Sequence, residues 1–286
     1  MFVVAGVTGH TGAVAADTLL ARKQPVRVIV RTADKGATWK AKGAEVAVAS
    51  LDDTQAMARA FEGAKGAYLL VPPNYAAASY LEDRKKVTDA QAAAVKTSGL
   101  GHVVFLSSVG AHLPGGTGPI RVVRYGEQKL GAVAKNLTIL RPPYFIDNWA
   151  PVLGAAKAEG ILPSFIAPGK KIPMISTRDI GRIAAEQLIA GGQGRKVLEL
   201  SGPDDYSPND VAAALGKILK HPVTVQRAPL TAVVPTFKSF GFSDDAARLF
   251  EEMYRGFEQG TIDFEKMGAA HVRGQITLTE ALARFV

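Results

Sequence analysis

The sequence predicts an α/β fold, a doubly wound parallel sheet with a smaller, mostly helical C-terminal region. Three observations carry this. Short β-branched runs alternate with helical stretches over the first 150 residues. A glycine-rich turn joins the first run to the first helix. The rhythm then changes after Arg141-Pro142-Pro143.

The runs come in order: Phe2–Ala5, Val26–Val30, Glu45–Ala49, Ala67–Val71, Val103–Leu106 and Leu137–Leu140. Each reads as apolar on both faces, as a strand covered by helices on both sides must be. Helical stretches lie between them at Thr11–Ala21, Thr54–Phe61, Ala77–Thr97 and Ile120–Ala134. Asp52 or Asp53 caps the helix at Thr54, with Gln55 placed for a capping box from Asp52. Strand, helix, strand in repetition requires a parallel sheet with right-handed crossovers. Further on, Ala150–Glu159 reads as a helix, and Thr177–Ala190 as a better one that Gly191-Gly192 ends. Lys196–Leu200 and Val223–Gln226 read as strands. Ser207-Pro208-Asn209-Asp210 has a cap, a proline at the first helical position and an acid at the third. From Pro229 to Val286 the chain reads as mostly helical, most clearly over Ser243–Gln259. The expected organisation is a cofactor domain over 1–150 and a substrate region over 151–286, partly interwoven with the first sheet.

Composition narrows the function classes. The 286 residues are 47% hydrophobic and 21% charged, those of an ordinary folded protein. With no cysteine, disulfides, thiolate zinc sites and cysteine nucleophiles are excluded. The net charge of +8 favours anionic partners, but the basic residues are dispersed, so nucleic acid is not expected. Neither a signal peptide nor a spanning segment is visible, which points to the cytoplasm and away from membranes. Five scattered histidines form no metal-binding spacing, so no metal is expected. Absence of G-x-S-x-G argues against an α/β-hydrolase.

The chemistry begins at Gly6-Val7-Thr8-Gly9-His10-Thr11-Gly12, a G-x-x-G-x-x-G turn between a strand and a helix. Gly6 permits the turn, Gly9 lets backbone approach a diphosphate, and Gly12 lets the helix pack close to the sheet. The helix N-terminus adds free N–H groups and partial positive charge. This is the dinucleotide loop of a Rossmann-type sheet. An NAD site usually carries an acid at the tip of the second strand. Here the tip is Arg31, with Thr32 beside it and Lys35 one turn later. Cationic side chains there suit the 2′-phosphate of NADP(H).

Several segments, in order, resemble the NmrA-like family of atypical short-chain dehydrogenases/reductases, and within it the quinone oxidoreductases and triphenylmethane reductase. They are Gly6–Gly12 with Arg31, Ala60-Phe61-Glu62-Gly63-Ala64, Val71-Pro72-Pro73, Val103–Ser108, Leu140–Asn148, Ile175–Ile180, Leu198–Ser207 and Tyr254–Gly260. The resemblance implies that Leu51, Asp52, Val71, Pro72, Ser107, Pro142, Tyr144 and Phe145 line the cofactor. These follow the carboxyl ends of parallel strands, where a ligand crevice forms. One departure is Ala49-Ser50-Leu51, where the family often has Gly-Asp-Leu.

Many reductases of this superfamily use Tyr-x-x-x-Lys with an upstream serine. Tyr125-Gly126-Glu127-Gln128-Lys129 matches, and Ser108 lies upstream. Tyrosine and lysine four apart share a helix face. Lys129 would then hold the nicotinamide ribose and lower the Tyr125 pKa, so that Tyr125 passes a proton as hydride arrives. Quinone reduction needs no protein acid, only a flat apolar pocket. Tyr144, Phe145, Trp149 and Phe237–Phe242 are candidates for it. Arg121 and Arg124 flank Tyr125 as a solvated basic face. The expected function is NADPH-dependent hydride transfer to a quinone or similar electron-poor small molecule. The alternative is a non-catalytic NADP(H)-binding redox sensor acting through protein partners. A homodimer is compatible with either.

Overall fold

The computed structural model describes residues 1–265 and 267–286. Its strands are β1 (Phe2–Val4), β2 (Val26–Val30), β3 (Glu45–Val48), β4 (Gly66–Leu69), β5 (Val103–Leu106), β6 (Leu137–Arg141), β7 (Tyr144–Phe145), β8 (Ile161–Ser164), β9 (Ile172–Ile175), β10 (Arg195–Ser201), β11 (Asp205–Tyr206), β12 (Thr224–Arg227) and β13 (Ala270–Arg273). The helices are α1 (His10–Ala21), α2 (Ala37–Ala41), α3 (Thr54–Phe61), α4 (Tyr80–Ser98), α5 (Ile120–Gly131), α6 (Leu153–Glu159), α7 (Thr177–Ala190), α8 (Pro208–Leu219), α9 (Val233–Ser239), α10 (Asp244–Gln259) and α11 (Leu278–Leu282).

One eight-stranded sheet runs β13-β10-β6-β5-β4-β1-β2-β3, and every pair in it is parallel. Strand order reverses between β1 and β4, which places the ligand crevice at their carboxyl ends. Helices α1 and α7 cover one face, packing Leu19, Ile180 and Leu188 on Val4, Val28 and Leu140. Helices α3, α4 and α5 cover the other, with Met57, Val95 and Leu130 against Val3, Phe105 and Ile139. Fully buried side chains of this kind contribute roughly 1.5–3 kcal/mol each. A second core beyond the sheet joins Trp149, Leu153, Met174, Leu215, Phe257 and Leu282.

Two strands that return to the sheet come late in the chain. β10 pairs with β6, and β13 pairs with β10 at the edge. β13 interrupts the mostly helical end: Ala270, His271 and Arg273 are exposed, so no apolar run marks them. β3 is an edge strand with Val48 55% exposed, not a strand covered on both faces. The short strands β8 and β9 and helix α2 also escaped the pattern. Capping explains several boundaries. Ser207 and Asp210 form the full capping box of α8, and Ser243 caps α10. At α3 the cap is Asp53, which accepts from the Gln55 and Ala56 N–H groups. That excludes the box from Asp52. Among the described residues, no helix is long and apolar enough to cross a membrane.

Candidate active site

The glycine loop sits where the strand order reverses. Gly6 takes φ +70°, a left-handed conformation that favours glycine. The Gly9 N–H donates to the Gly6 carbonyl at 2.9 Å, closing the turn. A Cβ on Gly12 would lie 2.4 Å from the Gly6 carbonyl oxygen, so α1 reaches the loop only without one. No side chain caps α1, and its first turn carries no acid. Its free N–H groups are therefore available to an anion. Thr8, Gly9 and His10 are exposed at this turn. Thr11 is not: its hydroxyl accepts from the buried Tyr68 at 2.9 Å, so only its backbone faces the turn.

Arg31 leaves the tip of β2, followed by a short 3-10 turn that carries Lys35. Both side chains are exposed, and among the described residues neither pairs with a carboxylate. The Thr32 side chain, with Lys35, holds the Asp34 carboxyl below the usual carboxylate range. Two exposed cations at a strand tip fit a phosphate monoester. Leu51 is half-buried and Asp52 exposed after β3, on the same side.

Helix α10 is tied to the segments that follow β4, β5 and β6. It is tied to the loop after β4 by Tyr80 N–H donating to Asp245 and by Ser243 N–H donating to the Tyr75 carbonyl, each at 2.8 Å. The Gly118 N–H, after β5, donates to Glu252 at 3.0 Å. Tyr144, after β6, lies edge-on to Phe257 at 6.1 Å. Along this helix lies an aromatic cluster, half-buried throughout: Tyr75, Phe165, Phe237, Phe242, Phe250 and Tyr254. Tyr75 stacks on Phe242 at 4.1 Å, and Phe237 meets both Phe242 and Phe250 at 4.9 Å. Val71, Tyr75 and Phe242 pack against one small core of Tyr80, Val122, Ala246 and Leu249, which links the cluster to the loop after β4. Trp149 and Tyr144 belong instead to the second core, at 3% and 8% exposure. Burial drives the Tyr144 hydroxyl well above its usual pKa. Phe145 is half-buried at the end of β7, beside the glycine-loop core. Pro142 is buried, and its carbonyl accepts from Val109 N–H at 2.9 Å. The Pro72 carbonyl is held by Arg84 at 2.7 Å.

The three expected catalytic side chains each have a partner within the protein. Tyr125 and Lys129 do share a face of α5, but that face meets α4. The Tyr125 hydroxyl donates to Asp89 at 2.8 Å, and the Lys129 ammonium lies 3.4 Å from the same carboxylate. Tyr125 and Asp89 hold the ammonium pKa up. Tyr125 sits midway along α5 and Lys129 in its last turn. Ser108 donates to the Val109 carbonyl at 3.0 Å, a local backbone bond. Arg124 donates to the Ala111 and His112 carbonyls, fixing the loop after β5.

The opposite face of α5 carries what the sequence did not announce. Glu127 is buried beneath the strand ends and accepts from Ser107 at 2.6 Å. It also accepts from Arg141 through both oxygens, at 2.8 and 2.7 Å. Arg141 reaches Glu265 as well, at 2.5 Å. Burial opposes the Arg141 charge, but Glu127 and then Glu265 outweigh it and hold its pKa up. Ser107 thus gives its hydroxyl proton to the buried carboxylate at the floor of the crevice. The available signal was charge at core periodicity. Arg141 shares a strand face with Leu137 and Ile139, and Glu127 lies one turn before Leu130. Among the described residues no cluster of potential metal ligands occurs.

The pattern of the NmrA-like family matches residues 1–273. An NAD(P)H azoreductase of Xenophilus azovorans is 24% identical over 89% of this chain and 86% of its own. A crystal structure of an NADPH-dependent quinone oxidoreductase of Escherichia coli, complexed with NADPH, superposes with a TM-score of 0.80. Identity is 24% over 99% of both chains. Triphenylmethane reductase of Citrobacter sp., complexed with NADP(H), gives 0.81 at 18% identity over 100% of both.

Proposed function

The chain belongs to the NmrA-like family, and from this premise we propose that it is an NADPH-dependent oxidoreductase whose acceptor is a quinone or a similar flat, electron-poor molecule. The observation that carries the proposal is the half-buried aromatic cluster along α10, a helix tied to the segments that follow β4, β5 and β6. In a sheet of this order the glycine loop and β2 serve the adenosine half of a dinucleotide, and β4–β6 the nicotinamide half. A planar acceptor stacked on Phe242 and Phe237 would lie over that second half. Named relatives that reduce quinones, azo compounds or dyes under the same fold support this reading.

Each part of the chain has a share in the work. The first turn of α1 would receive the diphosphate, and Arg31 with Lys35 the 2′-phosphate. NADPH, when bound, supplies the hydride. The aromatic rings exclude water and orient the acceptor face. With Tyr125 and Ser108 occupied elsewhere, water supplies the proton to the acceptor oxygen. Glu127 and Arg141 keep the loops after β5 and β6 in place beneath.

The test follows absorbance at the nicotinamide band with NADPH and a panel of quinones, azo compounds and cationic dyes. Turnover of at least one planar acceptor, lost in Phe242→Ala, is expected. Tight NADPH binding without turnover of any acceptor would replace this reading with that of a dinucleotide-sensing regulator.

A further inference from the structure

The last residues of the chain return to its first helix. After α11, a 3-10 turn over Ala283–Phe285 brings Arg284 against the glycine loop. Arg284 Nη2 donates to His10 Nδ1 at 2.8 Å and to Asp147 Oδ1 at 2.5 Å. His10 is the first residue of α1, where the N–H groups are uncapped. Asp147 also accepts from the Thr177 hydroxyl and, at 3.1 Å, from the Thr177 N–H. Its side chain is only 7% exposed and lies 3.8 Å from His10 Nδ1. A carboxylate is therefore fixed beside the turn that would receive a diphosphate. Left bare, it would repel one.

We propose that Arg284 is a diphosphate-binding residue of the dinucleotide site, one that also neutralises Asp147 there; the proposal rests on the NADP(H) reading above. A guanidinium has five N–H donors in a rigid fork. Among the described residues, only Nη2 of Arg284 makes a hydrogen bond, so Nη1 and Nε remain for phosphate oxygens. The side chain is 27% exposed, open enough to meet a ligand. It is also preorganised. The guanidinium stacks on Phe285 at 4.4 Å, and that ring stands edge-on to His10 at 6.4 Å. The Phe285 carbonyl accepts from Lys157 at 3.1 Å, which pins the turn. A plain tie between the tail and the loop would leave dinucleotide affinity indifferent to Arg284.

The experiment titrates NADPH and NADH into the full chain by fluorescence or calorimetry, with no acceptor present. Both dinucleotides carry the diphosphate, so Arg284→Gln should weaken both by the same factor, at least about tenfold for a lost charged hydrogen-bond partner. Adding Asp147→Asn to Arg284→Gln should recover part of that loss, because the uncompensated carboxylate is gone. Arg284→Lys keeps the charge but not the fork and should weaken both less than Arg284→Gln. If Arg284→Gln fails to fold, Arg284→Lys carries the test, and unchanged affinity for both dinucleotides overturns the proposal. Affinities within twofold of wild type in Arg284→Gln overturn it, as does a loss confined to NADPH, which would place Arg284 at the 2′-phosphate. Wild type that binds neither dinucleotide overturns the cofactor reading and this inference with it. Wild type that binds, with Arg284→Gln unaffected, overturns the inference alone.

Discussion

Replacing Glu127 by alanine removes the carboxylate at the centre of the ionic floor. Arg141 is 4% exposed and Glu127 5%, so the pair is shielded from water on both sides. Three hydrogen bonds disappear, two from Arg141 and one from Ser107. Removing one partner of a buried ion pair costs about 3–5 kcal/mol, because the remaining charge stays desolvated. Glu265, itself 33% exposed, still holds Arg141, which argues for the low end. An orphaned Ser107 hydroxyl adds about 1 kcal/mol. A loss of about 4 kcal/mol corresponds to a fall in Tm of about 7 °C for a chain of this size. Calorimetry and urea unfolding of Glu127→Ala would measure it. The double replacement Glu127→Leu with Arg141→Met should regain most of the loss, since apolar residues of similar volume often substitute for a buried pair at little cost. A single variant within 1 kcal/mol of wild type would refute the reasoning. So would a double variant no more stable than the single.

Other outcomes follow from the same geometry. Arg31→Asp should weaken NADPH far more than NADH, by about tenfold or more, when both are titrated; equal weakening would remove Arg31 from the 2′-phosphate. Tyr125→Phe and Lys129→Ala should leave turnover within about twofold, since both side chains attend to Asp89; half-exposed, they touch stability by about 1 kcal/mol at most. Burial raises the Glu199 carboxyl above its usual value of 4.5, against the lowering pull of the Glu265 N–H and Arg141. The folded chain therefore holds that proton more tightly than the unfolded one. Its contribution is complete below about pH 4.5 and is lost as pH rises through the raised folded value. Glu199→Gln should flatten this part of the stability–pH curve and leave the protein more stable at neutral pH; an unchanged slope would sink the assignment.

The sheet and the glycine loop were legible because their signals are local. Alternating apolar runs, Gly6–Gly12 and the cation at Arg31 each report on their own few residues. Ser207 and Ser243 announced helix starts for the same reason. What the sequence concealed depends on partners far along the chain. Tyr125 and Lys129, four residues apart, share a face of α5 as their spacing requires. Spacing alone does not say which neighbour that face meets, and Asp89 lies 36 residues earlier. Ser107 is satisfied by Glu127 and Thr11 by Tyr68, contacts across 20 and 57 residues. The strand β13 carries mostly exposed residues and owes its place to the edge of β10. The tail residue Arg284 gave no sign that it would reach His10, 274 residues away.

The return of β10 and β13 to the sheet bears on how this protein can be taken apart. A fragment ending near residue 150 would keep β1–β6 but strip the partner from β6. Its Leu137, Ile139 and Leu140, all at 2% exposure or less, would then stand at an open edge. Bare apolar edges of parallel strands invite pairing with other chains. Transplanting residues 151–286 between relatives as a cassette would thus be a graft through the middle of a hydrogen-bonded sheet. Exchange of side chains along α10 leaves that sheet whole, and under the proposed function it is the change that would alter the acceptor.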